Sequence, residues 1–245
     1  MTEQLNMKHK LSGATLIGDR QTWLLEQASG HRVIHIGCVD TGFLDQKLDK
    51  DDLLHTQLEG VCSQLVGVDN NSQGIQQLRE QGFDKLICGD ISDDSTRIIE
   101  ETGKLMQGCD LIICGEVLEH VLNYGQFLAG IRELALAYKS TVIVSVPNAF
   151  SLEGFASVFL GTEDVHPDHK CYFSQVTLTT LLSQAGFSPV GTCFYSRDRV
   201  ATRIKRITKH FITKTLFAFR PQLAEGLILV VVPEQAGTAA VQDSG

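Results

Sequence analysis

Uninterrupted apolar runs recur along the chain, and they constrain its fold more than any other feature. Two of them are DLIICG at residues 110–115 and TVIVSV at residues 141–146. Runs without polar alternation are typical of strands that are buried on both faces of a parallel sheet. Further strand-like segments are HRVIHIG (31–37), QLVGVD (64–69), residues 83–89, residues 187–195 and residues 226–232.

Segments with helical features separate these strands. Asp19, Asn71 and Ser174 stand before segments that we predict to be helices, as N-cap residues do. Other helices are predicted over 51–62, 95–106 and 126–138. This alternation predicts an α/β fold, a doubly wound and mostly parallel sheet with helices on both faces.

Composition places the chain among ordinary globular proteins. Of its 245 residues, 43% are hydrophobic and 20% are charged. No apolar run is long enough to span a bilayer, and the N-terminal MTEQLNMKHK lacks the apolar region of a secretory signal, so we expect a cytoplasmic protein. The seven cysteines form no CxxC pair, which predicts reduced and mostly buried thiols without a cysteine zinc site.

The distribution of charge is uneven. The net charge of −8 opposes a nucleic-acid partner. Residues 197–220 hold eight Lys or Arg and one acid, a net charge of +7, so the rest of the chain carries −15. In this segment Val200, Ile204, Ile207 and Phe211 recur at helical spacing. Two interpretations stay open: a peripheral contact with an anionic membrane, or an insertion packed on the domain with a solvated basic face.

Polar or glycine residues follow each of the first four strands. In a parallel sheet these positions meet at one edge, where ligands bind near the topological switch point. Glycine lets a ligand approach the backbone closely, and a carboxylate can accept from ribose hydroxyls or from an adenine amine. The residues at this edge are Gly37, Cys38, Asp40 and Gly42, then Asp69 and Asn70, then Asp90 and Ile91, then Glu116, Glu119 and His120.

The order VIHIGC, LVGVDNN, CGDI and DLIICGEVLEHV, followed by TVIVSVPNAFS, resembles class I S-adenosylmethionine-dependent methyltransferases. The resemblance covers roughly residues 31–190 and implies a seven-stranded sheet whose last strand is antiparallel. It places Gly37 and Cys38 against the methionine part of S-adenosylmethionine, Asp69 on the ribose, and Asp90 with Ile91 on the adenine.

The chain departs from the family pattern beside the glycine loop. His35 stands where the family usually has an acid, and Val39 stands near a usual glycine. The additional segment 43–50 is interpreted either as a lid over the cofactor or as a solvated loop.

A second group of residues combines EVLEH with HPDHKCYFS. In a helix, Glu116, Glu119 and His120 would share one face, and two carboxylates with an imidazole suit a divalent cation. The pairing resembles ubiquinone-pathway O-methyltransferases and small-RNA 2′-O-methyltransferases. That resemblance implies Mg²⁺ or Mn²⁺ held by these three residues and His169. Without metal, His169, His166 and His120 are the candidate general bases.

We therefore predict O-methylation of a hydroxyl on a small molecule or, by resemblance of residues 166–187, on a glycan precursor. The alternatives are an RNA 2′-O-methyltransferase, a nicotinamide dehydrogenase and a non-catalytic cofactor-binding module. The dehydrogenase requires a GxGxxG motif that is missing after the first strand. One domain is expected over 1–245, with a cofactor-binding core (31–150), an acceptor-side half (151–233) carrying the basic insertion, and a disordered tail (234–245). The acceptor and the oligomeric state stay open.

Overall fold

A computed structural model describes residues 9, 11, 13–50, 52–196 and 216–235 of the chain. They form one mixed sheet with helices packed against it. Its eight strands are β1 (Ala14–Ile17), β2 (Arg32–Ile36), β3 (Gln64–Asp69), β4 (Leu86–Cys88), β5 (Leu111–Gly115), β6 (Thr141–Pro147), β7 (Phe187–Tyr195) and β8 (Gly226–Pro233).

The sheet order is β1-β7-β8-β6-β5-β2-β3-β4. Neighbouring strands are parallel except at β8, which runs antiparallel to both β6 and β7. The predicted fold class is confirmed, including the antiparallel last strand, but the predicted count of seven strands is wrong by one. The additional strand β1 pairs with β7 at the edge of the sheet. It has four residues and is only partly buried, so its sequence carries little strand pattern.

Within the described residues, eight α-helices of six or more residues lie between these strands. They are α1 (Arg20–Ala28), α2 (Leu44–Asp49), α3 (Leu54–Glu59), α4 (Ser72–Glu80), α5 (Ile91–Leu105), α6 (Tyr124–Tyr138), α7 (Leu152–Phe159) and α8 (Gln175–Gln184). The predicted N-caps Asp19, Asn71 and Ser174 are confirmed, since each side chain accepts from a backbone N–H of its first turn. The helix predicted from 51 is the shorter α3, and Asp51 lies outside the described residues.

Two segments differ from their predicted form. Helix α5 contains a kink at Asp94, whose φ of −117° and ψ of 21° are not helical. The part after the kink begins at Ser95, as predicted, and the part before it is an additional turn that the side chain of Asp90 caps by accepting from the Ser92 N–H. The additional segment 43–50 is not a loop but contains α2, whose Leu44 is buried in a small apolar cluster.

The core lies on both faces of the central strands. The larger face packs β2, β3, β5 and β6 against α5, α6 and α8, and the other face packs against α1 and α3. All seven cysteines are free, and Cys38, Cys109 and Cys114 are buried while the others are half-buried. In the part of the chain that the structure describes, no helix has both the length and the apolar character needed to cross a membrane.

Glu234, the first residue of the predicted disordered tail, is held by hydrogen bonds. The Glu234 N–H donates to the carbonyl of Gly186, and its carboxylate accepts from the Ser188 hydroxyl at 2.8 Å. The rest of the tail, 236–245, lies outside the described residues, as does 197–215 with its predicted basic helix.

Candidate active site

A cleft opens at the carboxyl ends of the parallel strands. From β2 the chain winds outward to β3 and β4 on one side, and β5 and β6 lie on the other, so β2 and β5 flank the switch point. The cleft has a volume of about 1480 Å³. Among the residues predicted to bind cofactor, all but Gly42 line this cleft: Gly37, Cys38, Asp40, Asp69, Asn70, Asp90, Ile91 and Glu116.

The turn after β2 brings backbone to the floor of the cleft. Gly37 has a φ of 75°, a left-handed conformation that favours glycine. A Cβ at this position would also collide with Cγ2 of Val117. The Cys38 thiol is buried, and burial raises its pKa well above the usual range, so it stays protonated. A ligand at this turn would therefore contact the main chain, and the turn presents no reactive thiolate.

Asp69 ends β3 with its carboxylate held in place. One oxygen accepts from the Val39 N–H at 2.9 Å, and the other accepts from the Asn71 N–H at 2.9 Å. The residue is 8% exposed, and burial raises the pKa of its carboxyl, although these backbone bonds oppose the rise. Since each carboxylate oxygen can accept a second bond, Asp69 keeps acceptor capacity for a diol in the cleft.

The next two predicted residues contact each other. Oδ2 of Asp90 accepts from the Asn70 amide at 3.2 Å, while its Oδ1 caps α5. Desolvation raises the pKa of Asp90, but the bonds from Ser92 and Asn70 outweigh it, so the net pKa is lowered. Asp40 instead forms an ion pair with Lys47 on α2.

The segment after β5 does not form the predicted helix. Glu116 has a φ of 59°, and Leu118–His120 is a 3₁₀ turn. The predicted common face of Glu116, Glu119 and His120 is therefore wrong, because the left-handed residue redirects the chain before the turn begins. Oε1 of Glu116 accepts from the Tyr195 hydroxyl of β7 instead.

Three imidazoles converge on one wall of the cleft. The ring centroids of His120 lie 5.6 Å from His166 and 4.8 Å from His169, and those of His166 and His169 lie 5.3 Å apart. One nitrogen from each ring can be chosen so that all three lie within 4.8 Å of one another. Burial and the neighbouring imidazoles lower the pKa values of His120 and His169. Neutral imidazoles can accept a proton or bind a cation.

Glu119 lies beneath this cluster, and its side chain is 1% exposed. Neither carboxylate oxygen has a hydrogen-bond partner among the described residues. Its Oε1 lies 4.0 Å from Nε2 of His169. Burial raises the pKa of Glu119 to about 7. A buried carboxyl without a partner is costly, and such groups cluster at functional sites.

Two contacts at or near the cleft were not predicted from the sequence. Arg20, the first residue of α1, lines the cleft and donates to the Ser145 hydroxyl at 3.1 Å. Nδ1 of His35 lies 3.3 Å from Nδ1 of His55 in the core, and burial lowers the pKa of both rings. These contacts join distant segments, so neither periodicity nor motif spacing could indicate them.

Comparison with solved structures supports this fold. The protein is similar to an S-adenosylmethionine-dependent methyltransferase from Archaeoglobus fulgidus (TM-score 0.50, 16% identity), covering 86% of this chain and 94% of that one. It is also similar to magnesium protoporphyrin IX methyltransferase from Synechocystis PCC 6803, solved with bound SAH (TM-score 0.50, 16% identity). That match covers 87% of this chain and 80% of that one. The small RNA methyltransferase HEN1 matches with a TM-score of 0.51 and 17% identity, covering 89% of this chain and 25% of that one.

These identities are low enough that the similarity concerns the fold alone. A search of curated protein sequences finds no match. The family model of the methyltransferase domain, however, matches residues 7–191, about three quarters of the chain. The matched residues include the strand-end loops and the three histidines described above. The chain therefore belongs to the methyltransferase domain family, as the resemblance of its motifs implied.

Proposed function

We propose that the protein transfers the methyl group of S-adenosylmethionine to a hydroxyl of a small molecule or glycan precursor. The observation that carries this proposal is the convergence of His120, His166 and His169 on the cleft that the predicted cofactor residues also line. In the reaction the acceptor oxygen forms a bond to the methyl carbon as the carbon–sulfur bond breaks. S-adenosylhomocysteine leaves, and the hydroxyl proton must pass to a base.

The cofactor half of the cleft supports the first part of this proposal. Asp69 offers two fixed carboxylate oxygens, which suit the two hydroxyls of a ribose. Asp90 and Asn70 form a polar pair beside it, and buried Ile91 adds an apolar surface for a purine ring. The left-handed turn at Gly37 lets the methionine part approach the main chain.

The acceptor half supports removal of a proton. We assign the base to His169, because its lowered pKa keeps it neutral near pH 7 and its Nε2 lies near Glu119. When it takes the proton, the imidazolium would lie 4.0 Å from that carboxylate, which would stabilise the charge. A positioned base of this kind typically contributes about 10²–10⁴-fold to the rate.

The same residues also fit a divalent cation. Three imidazole nitrogens within 4.8 Å, with a buried carboxylate that has no hydrogen-bond partner among the described residues, make a reasonable donor set. Glu116 is the least suited of the four predicted ligands, since its carboxylate accepts from Tyr195. Of the two predicted ions, nitrogen donors suit Mn²⁺ better than Mg²⁺, which prefers oxygen. The cation would supply Lewis acidity that lowers the pKa of the acceptor hydroxyl.

A methyl-transfer assay tests the proposal. The full chain is incubated with S-adenosylmethionine labelled in the methyl group and with a panel of phenols, sugars, glycan precursors, amines and RNA. We expect label in hydroxyl compounds and a large loss of rate in His169→Ala. His31→Ala, at an exposed histidine beside β2, is the matched control. Transfer to amines alone would overturn the hydroxyl assignment, and transfer to RNA alone would overturn the small-molecule or glycan acceptor. Binding of NAD without binding of S-adenosylhomocysteine would overturn the cofactor.

The two roles of the histidine cluster separate in the same assay. If a cation acts, EDTA abolishes turnover, Mn²⁺ restores it, and Glu119→Ala is as damaging as His169→Ala. If His169 acts as a free base, EDTA has no effect and His169→Ala removes the acidic limb of the pH–rate profile. Full activity of a verified metal-free enzyme would exclude the cation.

A further inference from the structure

The cleft has room for more than a cofactor. Its volume of about 1480 Å³ exceeds the range of roughly 300–1,000 Å³ that is typical of a pocket for one small molecule. Most of the predicted cofactor residues follow β2, β3 and β4, whereas the three histidines lie in the segments that follow β5 and α7. The part of the cleft around the histidines is therefore available to a second ligand of appreciable size.

Five large apolar side chains line this cleft and are exposed to solvent, by between 39% and 81%. They belong to Phe43, Leu122, Val158, Val165 and Tyr172, and we call them the apolar collar. Exposed apolar side chains that are scattered singly over a protein surface are ordinary. Apolar side chains that gather in a concave site beside a few polar groups are instead typical of a surface that contacts a ligand.

The apolar collar begins beside the histidines. Val165 directly precedes His166, and Leu122 follows His120 by two residues. The Phe43 ring lies on the same group, since its centroid is 5.9 Å from that of His166. A ligand that reaches the imidazoles with a hydroxyl would therefore place its neighbouring atoms against the collar.

Hydrogen bonds join the segments that carry the apolar collar. The Lys170 N–H donates to the Glu119 carbonyl at 2.7 Å, which ties the histidine segment to the 3₁₀ turn after β5. The Thr162 N–H and hydroxyl both donate to the Ser157 carbonyl, at 2.9 and 3.1 Å. These bonds tie the end of α7 to the loop that leads to Val165. The apolar residues thus belong to one wall of the cleft rather than to separate loops.

The charged residues of the same wall oppose an anionic ligand. Between residues 150 and 172, four acids line the cleft against one base, and these five residues are Glu153, Glu163, Asp164, Asp168 and Lys170. A phosphate or carboxylate on the non-reacting part of an acceptor would be repelled by this excess of negative charge. An uncharged apolar group suits the wall better.

Given the proposed methyl transfer, on which this inference rests, we propose that the acceptor is a hydroxyl compound with an extended, uncharged apolar group. The apolar collar binds that group while the hydroxyl lies at the three histidines. Burial of the apolar group supplies binding free energy away from the reacting atoms, and it holds the hydroxyl in place for transfer. The acceptor is thereby narrowed from small molecules and glycan precursors in general to amphiphilic ones, built on a phenol or on a sugar.

Matched pairs of acceptors test this assignment. Methyl β-glucoside is compared with hexyl β-glucoside, and phenol with 4-butylphenol, each titrated in a calorimeter into the full chain saturated with S-adenosylhomocysteine. Each methylene that enters the collar should tighten binding by up to about fourfold. We expect the longer member of at least one pair to bind at least about tenfold more tightly than the shorter one. The pair that shows this gain identifies whether a sugar or a phenol carries the apolar group.

Variants of the apolar collar locate the gain. Leu122→Ser combined with Val158→Ser removes two apolar side chains that are 81% and 65% exposed. It should lower the ratio of the two affinities in that pair by at least about fivefold. Val190→Ser, at a 62% exposed valine on β7 that does not line the cleft, should leave the ratio unchanged. Equal thermal unfolding of the variants and the unaltered chain ensures that folded proteins are compared.

Equal affinity within both pairs would overturn the apolar acceptor. A gain that the double serine variant retains would also overturn it, because the apolar group would then bind elsewhere. Labelled S-adenosylmethionine separates this failure from failure of the proposed function. Transfer to methyl β-glucoside or phenol, without any gain in affinity from the longer chain, would leave hydroxyl methylation standing and exclude the apolar acceptor. A gain that depends on the collar, without label in any hydroxyl compound, would retain the apolar ligand site and overturn the proposed reaction.

Discussion

Replacing Glu119 with Gln should stabilise the protein above neutral pH, although it alters the acceptor side of the cleft. Burial raises the pKa of this carboxyl to about 7, whereas a free glutamate has a pKa of about 4.3. The folded protein therefore prefers the neutral acid. The contribution of this carboxyl to the free energy of unfolding is fully present below about pH 4.3. It falls as pH rises and is absent above about pH 7.

The magnitude follows from the same two pKa values. A tenfold change in a proton equilibrium corresponds to about 1.4 kcal/mol, so the ionised carboxylate lowers the free energy of unfolding by roughly 4 kcal/mol at pH 8. The side chain is 1% exposed, so solvent screens little of this effect. Glutamine has the same shape but cannot ionise. The variant should match the unaltered protein at pH 4.5 and exceed its stability by roughly 4 kcal/mol at pH 8.

Urea unfolding at a series of pH values measures this difference directly. Glu26→Gln, at an exposed glutamate on α1, removes one negative charge without altering a buried site and should show no such trend. A difference between Glu119→Gln and the unaltered protein that stays constant from pH 4.5 to pH 8 would refute the reasoning. The buried carboxylate would then have acquired a partner that the described residues do not provide.

Three other predictions concern the cofactor side and the bases. Asp69→Asn should weaken S-adenosylhomocysteine binding in calorimetry by roughly 10–100-fold, because a charge-assisted contact is lost. The surface control Asp84→Asn should leave the affinity unchanged. Unchanged affinity in Asp69→Asn would exclude Asp69 as the ribose ligand. Gly37→Ala should lower the free energy of unfolding by roughly 2–4 kcal/mol, because the new side chain is strained by the left-handed backbone and collides with Val117. Adding Val117→Ala should restore only the stability lost to the collision. Full restoration of stability would contradict the backbone contribution. In the base mechanism the lowered pKa of His169 places the acidic limb of the pH–rate profile below pH 6.5, and a midpoint above that value would contradict the assignment.

Much of the sheet could be predicted because buried parallel strands carry their own signal. The runs at 110–115 and 141–146 are apolar throughout, and both became central strands with covered faces. Strand β1 gave no comparable signal, since an edge strand of four residues, none of them buried, needs no continuous apolar run. Helix α7 was also missed, because its apolar residues face solvent and so lack the usual relation between periodicity and burial.

The placement of the proposed cofactor residues in one cleft was predictable for a topological reason. Residues that follow parallel strands meet at one edge, so Asp69, Asp90 and Gly37 could be placed together without coordinates. The acceptor half depended on local backbone geometry instead. The positive φ of Glu116 is exceptional for a residue that is not glycine, and it separates a motif that a regular helix would have kept on one face. Contacts such as that between Tyr195 and Glu116 join strands far apart in sequence, so no local pattern indicates them.

The energetic cost of Glu119 connects the stability experiment to the mechanism. A buried carboxyl without a partner among the described residues destabilises the ionised fold, and such a cost is retained where the group serves function. If a cation binds the three imidazoles and Glu119, saturating Mn²⁺ should stabilise the unaltered protein most at pH 8, where the carboxylate of Glu119 is ionised. The same Mn²⁺ should stabilise Glu119→Gln much less. If His169 is instead a free base, Mn²⁺ should change the stability of neither protein. The buried carboxylate of Glu119 would then stabilise the imidazolium that forms on His169 when the acceptor loses its proton.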